Sequence, residues 1–168
     1  TTHHVGVDGV AKPRWYEIDL GGWPAAGVPG LVQGGVADPG EGIHGFFPAV
    51  FKNDAGEIGL VFGTSSPDRP AGLSVAGRSA GDPLGVMSEP EQVRLSPVGG
   101  SNGRWGDYFD ITTDPADGTT FWVIGQTQEP GIGWDTRIAS FRLAEPCPAD
   151  LVEPFGVLDL ADVNSFVI

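Results

Sequence analysis

Four side chains suited to binding a sugar lie together at residues 104–108, Arg-Trp-Gly-Asp-Tyr. The indole of Trp105 offers a flat apolar face for a sugar ring, and Arg104 and Asp107 offer hydrogen bonds to its hydroxyl groups. The same residues also fit a packing role, in which Arg104 pairs with Asp107 and the aromatic rings enter a core. The sequence predicts either this packing role or a ligand site made of Arg104, Trp105, Asp107 and Tyr108.

The charge of the chain excludes two classes of partner. The net charge is −13, and only two of the nine Lys and Arg residues are lysines, Lys12 and Lys52. Such a surface repels the phosphates of nucleic acids and anionic membranes. No apolar run reaches the roughly 18 residues that a membrane-spanning helix needs. An acidic, lysine-poor surface favours a secreted or extracellular location, and the start at Thr1 predicts a processed or truncated chain.

Segments typical of β-strands recur along residues 1–143, separated by turn residues. The chain contains 27 Gly and 15 Pro, yet 40% of its residues are hydrophobic, so short strands with tight turns are favoured over disorder or helices. The predicted strands lie at residues 14–20, 31–36, 46–51, 58–62, 73–77, 92–95, 108–112, 120–124 and 134–143. We therefore predict an all-β region over residues 1–143.

Two sets of these strands resemble each other. The turn at residues 53–56 and the turn at residues 114–118 each join two strands and each end in a glycine, with an offset of 118 − 56 = 62 residues. This repetition favours a partial β-propeller of about two to three four-stranded antiparallel blades, with a β-sandwich as the alternative fold. Because a propeller needs about four blades to close, we expect a fragment, or a ring completed by other blades or chains.

The turn Asp-Pro-Ala-Asp-Gly-Thr-Thr-Phe-Trp at residues 114–122 resembles a degenerate Asp-box, the hairpin of sialidase-like propellers. Its role is structural, because an Asp side chain there accepts hydrogen bonds from N–H groups of the turn. Residues 5–143 look like the propeller region of large secreted bacterial proteins. The resemblance implies the fold and export, and carries little about activity.

The C-terminal residues 149–168 resemble part of a dockerin-like repeat, joined by a linker at residues 144–148. The resemblance implies a short loop and helix with a calcium site, for which the candidate ligands are Asp150, Asp159 and Asp162. With Asp150 as the first loop position, Val152 and Pro154 fall at the third and fifth and offer no side-chain oxygen. A helix cap with a hydrophobic plug is the alternative.

Three functions follow from these resemblances. The leading interpretation is a non-catalytic secreted propeller segment that binds a glycan or a protein, or serves as a scaffold. The second is the C-terminal part of a sialidase-like glycoside hydrolase, which would need converging arginines and paired carboxylates that the spacing does not locate. The third is a surface or cellulosome-like attachment module that acts through residues 149–168. No catalytic residue is assigned.

Overall fold

The computed structural model of the chain is all-β in the part it describes, which is residues 1–99, 105–106, 108–131 and 133–143. The strands there are β1 (Thr2–Val7), β2 (Val10–Asp19), β3 (Gly30–Val36), β4 (His44–Lys52), β5 (Ile58–Ser66), β6 (Arg69–Arg78), β7 (Glu91–Leu95), β8 (Asp110–Thr113), β9 (Phe121–Thr127) and β10 (Asp135–Phe141). The described residues contain no helix long and apolar enough to cross a membrane. The predicted all-β class is confirmed, whereas the linker at 144–148 and the loop-helix segment at 149–168 lie outside the described residues.

The strands form three antiparallel sheets in chain order. The first sheet is β1-β2-β3, the middle sheet is β4-β5-β6-β7 and the last sheet is β8-β9-β10. Within each sheet, every strand pairs with the next one along the chain. The middle sheet confirms the predicted set of four strands. The first sheet contains a third strand, β1, which the sequence analysis did not assign.

The middle sheet is buried on both faces, and this burial explains the apolar sequence of β5. Leu60 and Phe62 pack with Trp15 of the first sheet in one core cluster. Val61, between them in the chain, packs with Phe121 of the last sheet in a second cluster. Successive side chains of a strand point to opposite faces, so a strand covered on both sides needs apolar residues at every position. The two cores therefore join the three sheets face to face in chain order.

The first strands of successive sheets lie next to each other. Strand β4 contacts β1 and β2 of the first sheet and also contacts β8 of the last sheet. Strand β9 contacts β5 and β6. At both interfaces, therefore, the first strand of one sheet lies against the first strand of the next. Strands β1, β4 and β8 lie at one edge of the stack.

Close approach of the middle and last sheets depends on Gly59. A Cβ atom at this position would lie 2.9 Å from Ile111 Cδ1 and 2.9 Å from Phe121 Cδ1. A side chain here would force both neighbours to move, and cores packed at crystal density resist such a shift. The glycine in β5 therefore sets the spacing of this interface.

The turn between β8 and β9 is fixed by the carboxylate of Asp117. It accepts hydrogen bonds from the Thr120 hydroxyl at 2.6 Å and from the backbone N–H groups of Thr119 and Thr120, each at 2.8 Å. These bonds, led by the Thr120 hydroxyl and joined by the Arg142 guanidinium, hold the pKa of Asp117 well below its usual range. The side chain thus has the turn-fixing role expected of an Asp that precedes Gly118.

Candidate functional site

A groove of about 680 Å³ opens where the start of β4, the β5–β6 hairpin and the segment before β8 meet. Three of the residues that line it are aromatic, and most of the others come from the hairpin. The lining residues are Phe46, Phe47, Ser65, Ser66, Pro67, Asp68, Arg69, Pro70, Ala71, Gly99, Trp105 and Gln128.

Phe47 reaches the groove because β4 bulges at this point. The register of β4 against β5 shifts between Phe46 and Ala49, and Pro48 lies inside the shift, where it has no N–H to donate to the ladder. Phe47 has a positive φ of 49°, a conformation that costs a bulky residue on the order of 1–3 kcal/mol. Its ring is 37% exposed and lies edge-on to the rings of Phe46 and His4. Backbone strain of this kind is concentrated at functional sites.

Trp105 is held at the groove by its neighbour Gly106. The backbone N–H of Gly106 donates to Gln126 Oε1 at 2.7 Å, and its φ is +62°. A Cβ at this position would lie 2.7 Å from the ring of Phe109 and 3.2 Å from the ring of Phe47, so the backbone passes close to both rings. Trp105 itself is half-buried, and its Nε1 is buried with no hydrogen-bond partner among the described residues. The nitrogen edge of the indole is therefore buried, while the residue lines the groove.

Charged and uncharged polar groups complete the groove. Ser65 and Ser66 end β5 and are half-buried, and Gln128 follows β9, where its backbone N–H donates to Ser96 Oγ at 2.9 Å. Asp68 lies in the hairpin turn, and Arg69 follows it, with its guanidinium donating to Gln92 Oε1. Two hydroxyls and an amide beside aromatic rings can bind a ligand that has both apolar faces and hydroxyl groups.

The predicted ligand residues do not all lie at the groove. Trp105 lines the groove, whereas Tyr108 is 88% exposed and does not. Arg104 and Asp107 lie outside the described residues. The predicted calcium ligands Asp150, Asp159 and Asp162 lie outside them as well, and the described residues contain no group of three or more metal-binding side chains.

Three arginines within the described residues bear on sialidase-like chemistry, and each lies on a different strand. Arg14 is on the exposed face of β2, and Arg137 is on β10. Arg78 is buried at the end of β6, where it donates to the Asp82 carbonyl oxygen at 2.6 Å. Glu129, which follows β9, pairs with Arg94 at 2.8 Å. Arg14, Arg78 and Arg137 thus belong to three different sheets.

Sequence reasoning missed Phe47 and the β5–β6 hairpin as parts of the site. The Phe-Pro pair at 47–48 is a signal for the bulge, because proline within a strand pattern marks a break in the ladder. No local sequence pattern predicts that the hairpin at 65–71 lies near Trp105, because their proximity arises from the packing of the middle sheet against the last one.

No family model matches the chain, and neither the curated proteins nor the solved structures include a significant match to it.

Proposed function

We propose that the chain is a non-catalytic part of an extracellular β-propeller and that it binds a carbohydrate in the groove at Trp105. The observation that carries the proposal is the presence of Trp105 and the strained Phe47 in one groove with two serine hydroxyls and the Gln128 amide. Aromatic rings bind the apolar C–H faces of sugars, and hydroxyl and amide groups bind their hydroxyls.

The sheet arrangement supports the propeller as the setting of this groove. Three antiparallel meanders are stacked in chain order, and their first strands β1, β4 and β8 lie next to each other. In a sandwich, two sheets share one core, whereas here the middle sheet contributes to two separate cores. Stacked four-stranded meanders with adjacent inner strands are the arrangement from which propellers are built.

The charges favour a neutral sugar as the ligand. The chain as a whole carries a net charge of −13, which repels anionic glycans at a distance. Within the groove, Asp68 and Arg69 are the charged residues among the described lining and have opposite signs. Binding would then come from stacking on the rings and from uncharged hydrogen bonds.

A glycan array of neutral and acidic oligosaccharides, followed by calorimetry with the best-bound glycan, tests the proposal. Trp105→Ala is expected to remove detectable binding. Trp134→Ala is the matched control, because Trp134 is 65% exposed and lies outside the groove lining. The control is expected to bind as the parent does.

Thermal melting of the same two variants separates binding from folding. A half-buried Trp105 contributes less to stability than a fully buried one, whose loss costs about 3–5 kcal/mol. A melting temperature near that of the parent, together with lost binding, supports the groove as the site. Absence of glycan binding in the parent, with strong destabilisation of Trp105→Ala, would assign Trp105 to the core and end the proposal.

A further inference from the structure

The loop between β2 and β3, residues 20–29, carries no polar side chain apart from the indole of Trp23. The absence of charge extends along β3. The chain contains 22 Asp and Glu residues and nine Lys and Arg residues, yet none of them lies between Asp19 and Asp38. In chemistry this β2–β3 loop therefore differs sharply from the acidic chain to which it belongs.

The apolar side chains of the β2–β3 loop are in water. Every residue from Ile18 to Val32 is exposed, and Trp23 is 58%, Leu31 66% and Val28 86% exposed. A strand packed on a core buries alternate residues, whereas here successive residues are exposed, so both sides of this end of the hairpin are free of the core. Exposed apolar surface of this extent marks a contact that removes it from water.

The β2–β3 loop is ordered by its own backbone. The N–H of Trp23 donates to the Leu20 carbonyl oxygen at 2.9 Å, and the N–H of Ala26 donates to the Gly22 carbonyl oxygen at 3.0 Å. The two prolines of the loop have no N–H to satisfy. These groups lose no hydrogen bond to water when the loop enters an apolar medium, so the cost of its entry is lowered.

Charged side chains begin at the base of the hairpin. Asp19 accepts a hydrogen bond from the N–H of Gly21 at 2.9 Å, and Glu17 pairs with Lys52 at the end of β4. The Trp105 groove lies at the other end of that strand, where Phe47 lines it. The β2–β3 loop and the groove are therefore at opposite ends of β4.

We infer that the β2–β3 loop inserts into the surface of a bilayer of zwitterionic lipid. The loop enters the boundary between headgroups and acyl chains by about 5–10 Å, and Asp19 and Glu17 stay in water. Indole rings favour this boundary, which suits Trp23. The net charge of −13 repels anionic lipid, so the membrane must be uncharged overall. Insertion does not depend on glycan binding, and it leaves the Trp105 groove facing away from the membrane.

Lipid fits the β2–β3 loop better than a second copy of the chain. A bilayer surrounds an inserted loop, whereas a protein partner covers one side of it and leaves a polar rim in water. The loop has no polar side chain besides the indole with which to form such a rim. Two copies, each with a net charge of −13, also repel each other.

Flotation with phosphatidylcholine vesicles tests the inference on the full chain. The parent is expected to float with the vesicles. Val28→Asp is expected to weaken partitioning by about tenfold, because it carries a charge into the apolar boundary. Leu84→Asp is the matched control, since Leu84 is 70% exposed and lies in the β6–β7 loop. The control is expected to float as the parent does, and circular dichroism verifies that both variants are folded.

Tryptophan fluorescence shows which part of the chain enters the lipid. Vesicles are expected to shift the emission of the parent to the blue. Trp23→Phe is expected to bind within about twofold of the parent but to lose this shift, because phenylalanine retains the apolar ring. A shift that persists in Trp23→Phe would place the contact at another exposed indole, such as Trp134, and overturn the inference.

Lipid charge and salt provide the last measurement. Phosphatidylserine added to the vesicles is expected to weaken binding at low salt, and salt is expected to restore it by screening the repulsion. A parent that does not float, or a Val28→Asp variant that floats equally well, would overturn the inference. Sedimentation velocity identifies the rival occupant: self-association of the parent that Val28→Asp abolishes, without flotation, would assign the loop to a second copy.

Discussion

The side-chain amide of Asn53 links two sheets, because its Nδ2 donates to the carbonyl oxygen of Thr119 at 2.9 Å. Asn53 lies in the β4–β5 turn of the middle sheet, and Thr119 lies in the β8–β9 turn of the last sheet. The same amide also donates to Glu57 Oε2 at 2.6 Å and accepts from the Glu57 backbone N–H at 2.9 Å. Next to it, the backbone N–H of Asp54 donates to the Gly118 carbonyl oxygen at 3.0 Å. The two turns that repeat in the sequence are therefore bonded to each other in space.

Asn53→Ala is expected to lower the free energy of unfolding by about 1–3 kcal/mol, since Asn53 is 5% exposed and its loss leaves buried polar groups without partners. Urea unfolding measures the change. Asp54→Ala is the control, because the exposed Asp54 side chain can be removed while its backbone hydrogen bond to Gly118 remains. Equal stability of the two variants would contradict a linking role for Asn53.

Gly59→Ala is expected to destabilise the chain by about 1–3 kcal/mol, the typical cost of adding a methyl group to a filled core. The added Cβ would meet both Ile111 and Phe121 at 2.9 Å. Gly6→Ala on β1 is the matched control, because a Cβ there has no heavy atom within 4 Å. Denaturant unfolding compares the two variants. Stability of Gly59→Ala at or above that of Gly6→Ala would show that the sheets do not approach as closely as described.

Nine of the ten strands in the described residues could be predicted from the sequence, but β1 and the equivalence of the repeats could not. Matching the turn glycines gives an offset of 62 residues, whereas register partners give 113 − 52 = 61 before the turn and 121 − 58 = 63 after it. The β8–β9 turn is two residues longer, so the position of its glycine does not mark the register of the strand that follows. Because the offset after the turn differs from that of the glycines, Gly59 corresponds to Trp122. Gly59 faces the last sheet, whereas Trp122 is exposed.

For a related reason, only part of the candidate site could be predicted from the sequence. Trp105 stands out because it is an aromatic residue among polar ones within a short segment. Its partners Phe47 and Ser65 are far from it in the chain and are brought to it by sheet packing. Residues gathered by tertiary contacts leave no spacing pattern in a single sequence.

Lowering the pH is expected to remove the stabilisation that Asp117 gives to the β8–β9 turn. The folded-state pKa of Asp117 is depressed by the Thr120 hydroxyl and by backbone N–H groups, so its contribution is present above the unfolded pKa, near 3.9. The contribution is lost as the pH falls through the folded-state pKa. The stability advantage of the parent over Asp117→Asn should therefore shrink between about pH 5 and about pH 2.

NMR titration of the Asp117 carboxyl carbon provides a direct measurement of the same effect. Thr120→Val removes the hydroxyl donor that contributes most to the shift, and it should raise the pKa of Asp117 toward its usual value. An Asp117 pKa in the ordinary aspartate range in the parent would contradict the hydrogen bonding described for this turn.

Phe47 provides a test that separates ligand binding from stability, with Phe51 on the same strand as its control. The two rings are 37% and 41% exposed, but Phe47 has a φ of 49° and Phe51 does not have a positive φ. Asparagine tolerates the left-handed conformation and fits poorly in an extended strand. Phe47→Asn should therefore relieve backbone strain, and this relief offsets the lost packing. Phe51→Asn should lose packing without any such relief.

We expect Phe47→Asn to be the more stable variant and yet to lose glycan binding, while Phe51→Asn binds as the parent does. Urea unfolding measures the stabilities, and calorimetry measures the binding. If Phe47→Asn kept its glycan affinity, the groove would not be the binding site, and if it were the less stable variant, the bulge at Phe47 would serve packing instead of the ligand.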